Sequence, residues 1–474
     1  MTTTLTATTG SGTTGTARTA GGRWAALVLL VSAQFVVMLD TSIVNVALPS
    51  IQTDLDLRPT AITWVVNAYV LSFGGLLLLA GRAADLFGSR RLFVGGSILF
   101  AAGTLLAASA SSAPQLIGGR VVQGVGAAAL SPAAMSLLLL TFGGQARARA
   151  MSIWGAASAL GGAAGVMTGG LLVGAFGWAS VFVVTVPVSV AAVALAGRLL
   201  PEGTRGGTRR RFDWPGAATI TGAVVALVHG ALDVADHGWA SPTVIAALAA
   251  AATLAAVFIN IERRTADPLL PLDVFRSRTL TTGVGLAVLG GAARASTFVL
   301  VALYLQQALT MAPAQAGLAM VPTSLTGFAF SLILLPRIVR ALGPQRSMVV
   351  GLVVLAAGHL WLANAPTTSG YLTAVLPGLL LVAVGVALSF TPTTMVIADA
   401  VPNTHTGLAS GLAGSATQVG AALGTATFTA IAISVGGSLG HTLGASGFAA
   451  AFTAAAAVAL ATAALGSTIA RARH

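Results

Sequence analysis

The 474-residue chain has no cysteine and no lysine, and only 8% of its residues are charged. The missing cysteine excludes a disulfide framework, a thiolate metal site and a thiol nucleophile. Without lysine there is no phosphate-binding loop of the G-x4-G-K-S/T kind, so the chain alone does not draw its energy from ATP. The scarcity of charge excludes an ordinary soluble domain, in which about 25% of residues are charged. The six histidines, His229, His237, His359, His405, His441 and His474, share no ligand spacing, and we expect neither a metal site nor a cofactor.

Apolar residues fill the space left by charge. Hydrophobic residues make up 56% of the chain, and mean hydropathy is +0.90. These values describe a polytopic membrane protein. Apolar runs of about 20 residues, enough to span a hydrocarbon core of roughly 30 Å, begin near Trp24, Ile62, Leu92, Gln115, Met151, Val181, Trp214, Pro242, Thr281, Gln315, Met348, Leu372, Gly407 and Ala445. The Thr/Gly-rich stretch before the first run, residues 1–22, is too polar to fold alone and is read as a disordered tail. It is not a cleavable signal, because the run after it is too long for a signal core.

The formal charge of +12 would suggest nucleic acid in a soluble domain, but the arginines decide otherwise. When the loops are assigned alternately to the two sides, twenty-one of the 24 basic residues fall on the side of the N-terminus. Arg58 alone falls on the other side, and Arg120 and Arg294 lie inside spans. The positive-inside rule then places both termini in the cytoplasm, with the chain crossing the cytoplasmic membrane an even number of times.

The loops also carry a repeat. GRAADLFGSRR (81–91) and PRIVRALGPQR (336–346) both read R-x5-G-x2-R, as Arg82, Gly88, Arg91 and Arg337, Gly343, Arg346. The expected architecture is all-α, with two pseudo-symmetric six-helix halves at residues 23–199 and 276–474. A linker with two inserted helices, 200–275, lies between them and gives a 6+2+6 arrangement. Such repeats are usual in secondary transporters, whose substrate site lies near mid-membrane between the halves.

Four stretches resemble the fourteen-helix drug:proton antiporter branch of the major facilitator superfamily: LDTSIVNVALP in helix 1, GRAADLFGSRR after helix 2, GRVVQGVGAA in helix 4 and LGGAAGVMTGG in helix 5. The helix 5 match is partial, since the family's Gly-Pro is Gly165-Val166 here. The resemblance implies proton-coupled efflux of a drug-like or antibiotic molecule by alternating access, and a conformational latch in the loop after helix 2. It also implies a proton-transfer role at the Arg120 position and antiport through the helix 5 stretch.

The residues themselves support several of these roles. A carboxylate near the bilayer centre is costly unless it faces the interior and is neutral for part of a cycle, which makes Asp40 the candidate proton carrier. Its plainer role is to shape helix 1 beside Asn45. Arg120 is the natural counter-charge to Asp40, and Gln123 lies one turn further along its face; the plainer role of this arginine is to bond backbone carbonyls. In the latch, Gly81 and Gly88 permit tight turning, Asp85 can accept hydrogen bonds from helix N-termini, and Arg82, Arg90 and Arg91 anchor the cytoplasmic face. Ala157, Gly161, Gly165 and Gly169 recur every four residues, with Gly170 beside them, and let another helix approach closely, as a rocking interface requires.

Asn45, Trp64, Asn67, Tyr69, Gln123, Trp154, Gln306 and Gln307 are candidate cavity residues. Arg294 lies deep in helix 9, and the embedded formal charge of Asp40, Arg120 and Arg294 is plus one. We therefore expect a neutral, zwitterionic or anionic substrate with Arg294 as its polar anchor. The chain is expected to act as a monomer in the lipid bilayer and to bind no nucleic acid. Proton-coupled uptake or facilitated diffusion on the same fold is the alternative, favoured if Val166 cancels the antiport stretch. A membrane enzyme would need paired carboxylates or a histidine cluster near one face. Asp233, Asp236 and His237 cluster on the outside, but on an expected short loop where solvation explains them.

Overall fold

A computed structural model of the chain describes residues 20–201, 213–365, 370–402, 405–436, 438–439 and 442–471. Among the described residues fourteen helices are long and apolar enough to cross a membrane. The first six crossings are α1 (Ala20–Asp54), α2 (Pro59–Phe87), α3 (Ser89–Ala108), α4 (Ala113–Thr141), α5 (Gly144–Phe176) and a sixth made of α6 (Ser180–Val183) and α7 (Val186–Leu199). Pro187, at the start of α7, lacks the N–H that would continue α6 without a break. The inserted pair is α8 (Trp214–His237) and α9 (Pro242–Glu262). The last six crossings use α10 (Arg278–Leu303), α11 (Pro313–Ile333), α12 (Leu335–Ala363), the short α13 (Tyr371–Ala374) leading into α14 (Leu376–Asp399), α15 (Thr406–Gly436) and α16 (Ala445–Arg471). Between α15 and α16, Ser438–Leu439 pairs antiparallel with Thr442–Leu443.

Most of the expected polar tail and the arginines at 205 and 209–211 lie outside the described residues. Elsewhere two helices start earlier than hydropathy suggests. Helix α5 begins at Gly144 and α12 at Leu335, because the arginine-bearing loop residues before each apolar run are themselves helical. Hydropathy marks the apolar run, whereas the backbone hydrogen bonds continue beyond it.

The repeat in the loops has a backbone basis. Gly88, between α2 and α3, has φ 94°, and Gly343, which kinks α12, has φ 78°. Both have extended ψ values, a combination open essentially to glycine alone, so each copy turns where only that residue fits.

The halves meet along two seams, α2 against α15 and α5 against α11. Near the arginine-rich face the first seam is tied by Asp85, whose carboxylate oxygens accept from Gly407 N at 2.7 Å and Leu408 N at 2.8 Å. The Ser136 hydroxyl bonds Ser89 at 2.9 Å and Thr406 at 2.8 Å. Arg147 Nη1 donates to Asp399 Oδ1 at 3.1 Å. The seam is closed at this face. Toward the other face Asn45 is exposed, and Trp64 is 44% exposed.

Candidate functional site

The embedded charges of the first half form one buried cluster. Asp40 is fully buried, as is Gln123, and Arg120 is 1% exposed. Arg120 Nη1 donates to Asp40 Oδ2 at 2.7 Å, and Gln123 Nε2 donates to Asp40 Oδ1 at 2.6 Å. Arg120 Nη1 also donates to Gln123 Oε1 at 2.6 Å, and its Nε donates to Val65 O at 3.1 Å. Gln123 Nε2 reaches Thr104 Oγ1 at 3.0 Å. The guanidinium carbon of Arg120 stands 4.3 Å from the centre of the Tyr69 ring, a cation–π contact in a buried site. Four helices, α1 to α4, therefore contribute to one carboxylate–guanidinium pair.

Small residues make that convergence possible. A Cβ at Gly103 would collide with the backbone of Gln123, and one at Gly124 would lie 2.8 Å from Tyr69 O. These glycines bring α3 and α2 against α4 at the level of the pair. On the other side of α1, a Cβ at Gly165 would lie 2.7 Å from Leu39 O, and one at Gly161 would lie 2.5 Å from Phe35 O. The glycine stripe of α5 thus seats α1 directly beside Asp40.

This placement corrects one expectation. The stripe packs within its own half, and Gly169 continues it against Ile43 and Val46 of α1, so it is not the interface between the halves. Besides Arg147 and Trp154, the α5 residues that meet the second half include Gly155, opposite Thr391, Ala159, near Gly327, and Val166, against Gly317. A four-residue repeat identifies a smooth face but not the helix it packs on. Gly170 lies off the stripe, and a Cβ there would meet nothing within 4 Å.

The candidate cavity residues separate into groups. Gln123 and Tyr69 belong to the charge cluster and not to an open cavity wall; Tyr69 is 1% exposed and stacks on Phe73. Trp154 is buried in the core among residues of both halves, including Leu388 and Met395. Asn45 bonds the carbonyl of Thr41 in its own helix at 3.0 Å. Trp64 leans toward His229 of α8, with ring centres 6.1 Å apart. Asn67 and Gln307 are half-buried, and Gln306 is exposed in the π-helical turn Tyr304–Ala308.

In the loop after α2, Arg82 is buried and donates to Pro268 O at 3.1 Å, and Arg90 donates to Leu200 O at 3.4 Å. Gly81 faces the backbone of Gly407 and Gly411 so closely that neither side has room for a side chain. Arg91 is exposed.

Arg294 stands apart. It is 4% exposed and, among the described residues, has one long hydrogen bond, Nη1 to Ser389 Oγ at 3.4 Å. Its guanidinium carbon lies 5.7 Å from the Phe390 ring centre, and its Nη2 has no hydrogen-bond partner among the described residues. The outer group of Asp233 and His237 lies at the end of α8 and not on a loop, as a local network with bonds of 2.9 Å between them and 2.7 Å from Thr243 to Asp233; the Asp236 side chain lies outside the description.

Sequence reasoning missed a second polar layer. Gln34 donates to Ser158 Oγ at 3.2 Å and accepts from Ser131 at 2.9 Å, linking α1, α5 and α4. It also missed a second echo between the halves, Ser131-Pro132-x-x-Met135 in α4 and Thr391-Pro392-x-x-Met395 in α14.

The two-half bundle and its internal echoes agree with comparison to known families. Residues 30–425 and 284–473 match the Major Facilitator Superfamily. The chain belongs to that superfamily. It is a multi-pass membrane transporter of small molecules, and its fold is not that of an enzyme. Among curated relatives, it is 35% identical over 396 residues to the cephamycin export protein CmcT of Amycolatopsis lactamdurans, covering 83% of this chain and 82% of that one. It is 37% identical over 404 residues to the puromycin resistance protein pur8 of Streptomyces alboniger, covering 84% and 79%. Among solved structures, the human organic anion transporter MFSD10 (TETRAN) superposes with a TM-score of 0.68 at 15% identity, covering 94% of this chain and 99% of that one, which speaks for the fold alone.

Proposed function

We propose that this transporter belongs to the fourteen-helix drug:proton antiporter branch and exports an antibiotic-like small molecule across the cytoplasmic membrane in exchange for protons. Both termini then lie in the cytoplasm, on the arginine-rich face. The observation that carries the reading is the buried pair of Asp40 and Arg120, held by Gln123, Thr104 and Val65. The roles for which two relatives are named, export of cephamycin and resistance to puromycin, point the same way.

The pair supplies a way to couple two fluxes. While the seam is closed at the arginine-rich face, Asp40 and Arg120 neutralise each other in a site where an unpaired charge would cost several kcal/mol. When water from the outer side reaches the carboxylate, a proton takes over the neutralisation and Arg120 rests on Val65, Gln123 and the Tyr69 ring. Return to the inner side and entry of substrate restore the pair and release the proton. Asp85, which holds the N-terminus of α15, acts in this cycle as the latch of the state closed to the cytoplasm.

The substrate of this cycle is neutral, zwitterionic or anionic, and Arg294 is its anchor in the second half. The support is a buried guanidinium whose Nη2 is unpaired among the described residues. With Asp40 ionised, Arg120 and Arg294 leave the embedded region one positive charge, which repels a dication.

The test starts with cells expressing the chain and a panel of toxic compounds that includes cephamycins and puromycin. A compound to which the cells become resistant is then followed in inverted vesicles. Vesicles with an acid lumen should accumulate it, because protons leaving the lumen drive it inward. Expulsion from the acid lumen would assign symport, and indifference to the gradient would assign facilitated diffusion. Export of a permanent dication as efficient as that of a neutral compound would overturn the charge selection.

A further inference from the structure

The cluster around Asp40 contains one polar group that the ionised pair does not use. Tyr69 is buried, and its hydroxyl has no hydrogen-bond partner among the described residues. The ring, by contrast, is fully engaged, stacked on Phe73 and covered by the Arg120 guanidinium. A Cβ at Gly124 would lie 2.8 Å from Tyr69 O, so α4 holds α2 close at this residue. Phenylalanine would make the same ring contacts without burying an unpartnered hydroxyl, which is unfavourable. The hydroxyl therefore calls for a partner in another state of the molecule.

Donors and acceptors in the cluster show which state that is. Ionised Asp40 can only accept, and its two oxygens take Gln123 Nε2 and Arg120 Nη1. Protonation of Oδ2 makes that oxygen a donor and ends its bond to Arg120, which can only donate. The new O–H then needs an acceptor. Gln123 Oε1 already accepts from Arg120, Thr104 Oγ1 from Gln123, and Val65 O from Arg120. The Tyr69 oxygen is still open, and Arg120, bonded to Asp40 and stacked on Tyr69, touches both.

We propose, resting on the coupling role given to Asp40 above, that the Tyr69 hydroxyl is the positioning partner of protonated Asp40. A proton from the outer side adds to Oδ2, Arg120 withdraws from that oxygen with its own protons unchanged, and the new Oδ2–H donates to Tyr69 Oη. Oδ1 keeps its bond from Gln123. Tyr69 transfers no proton. It favours the neutral carboxyl, because its bond exists only in that form. The charged and titratable groups of the cluster are Asp40 of α1, Tyr69 of α2 and Arg120 of α4. Helix α3 contributes Thr104, α5 contributes Gly161 and Gly165, and α6 contributes Phe182, none of them titratable.

The experiment is difference infrared spectroscopy of the purified full chain as pH is lowered, with the Asp40 carboxyl signal identified as the band missing from Asp40→Asn. In Tyr69→Phe that signal should develop at a pH about half a unit to one unit lower, as expected for the loss of one hydrogen bond to the neutral form. Its C=O stretch should also move, since the O–H has lost its acceptor. At a pH where Asp40 is ionised, Tyr69→Phe should melt at the wild-type temperature or above it, because only an unpartnered hydroxyl is removed. Tyr304→Phe, which removes the phenol bonded to Ala365 O in the second half, should leave the signal in place. An unshifted signal in Tyr69→Phe, an equal shift in Tyr304→Phe, or a lower melting temperature in Tyr69→Phe would overturn the assignment of Tyr69 alone. Absence of any Asp40 signal down to the pH of acid unfolding would overturn it together with the coupling role of Asp40.

Discussion

In the first half Asp40 and Arg120 satisfy each other at 2.7 Å inside a cluster drawn from four helices. In the second half Arg294 is also buried but, among the described residues, has one bond of 3.4 Å and an unpaired Nη2. The scaffold repeats and the chemistry does not. Helix α14 echoes the proline turn of α4, yet Ser389 and Phe390 are what face the buried arginine there. The loops differ in the same way: Asp85 of the first copy caps α15, whereas the matching position of the second copy is Arg340. A half whose charges are closed on themselves suits a switch operated by a proton. A half with an unsatisfied guanidinium suits a site completed by something that arrives.

The contrast can be broken at its strongest point first. Asp40→Ala leaves Arg120 buried without its counter-charge and should cost about 3–5 kcal/mol, read as a large fall in melting temperature. Arg294→Met, by contrast, removes a poorly paired buried charge and should be neutral or stabilising while export is lost. Comparable destabilisation by both substitutions would erase the difference between the halves.

The seating of α1 gives the next effect. Gly165→Leu should cost about 1–3 kcal/mol or more by forcing α1 away from α5 beside Asp40. Gly170→Leu, five residues along the same helix, should be tolerated, since a Cβ there has open space. A thermal-shift comparison of the two decides whether the α1–α5 contact is as close as described.

The smallest effect belongs to the latch. Asp85→Asn removes a carboxylate from the N-terminus of α15, worth about 0.3–1 kcal/mol, and should shift the population away from the state closed at the arginine-rich face. The chain lacks cysteine, so Asn45→Cys provides a single reporter near the opposite face. Its labelling by a water-soluble thiol reagent should slow when Asp85→Asn is added. An unchanged rate would remove the latch from the account.

Much of this was legible before the structure. Fourteen spans followed from length and hydropathy, because a bilayer imposes both on any helix that crosses it. The pairing of Asp40 with Arg120 followed from the cost of embedded charge, which leaves two isolated opposite charges in one half little alternative. The roles of Gln123 and Tyr69 were less legible. Spacing puts Gln123 on the face of Arg120, but only the approach of α3 and α2 through Gly103 and Gly124 decides that both side chains serve the pair. Periodicity likewise exposed the glycine face of α5 without naming α1 as its neighbour, since a single helix's pattern carries no information about which surface will meet it.

The account turns on Asp40 as the proton-coupling group, and reconstituted Asp40→Asn protein tests it most directly. Proteoliposomes should be loaded with an exported compound and assayed twice: for exchange of labelled against unlabelled substrate without a gradient, and for net movement driven by an imposed pH difference. The account predicts that exchange survives while gradient-driven movement falls to the level of protein-free liposomes. Gradient-driven movement at the wild-type rate in Asp40→Asn would contradict it.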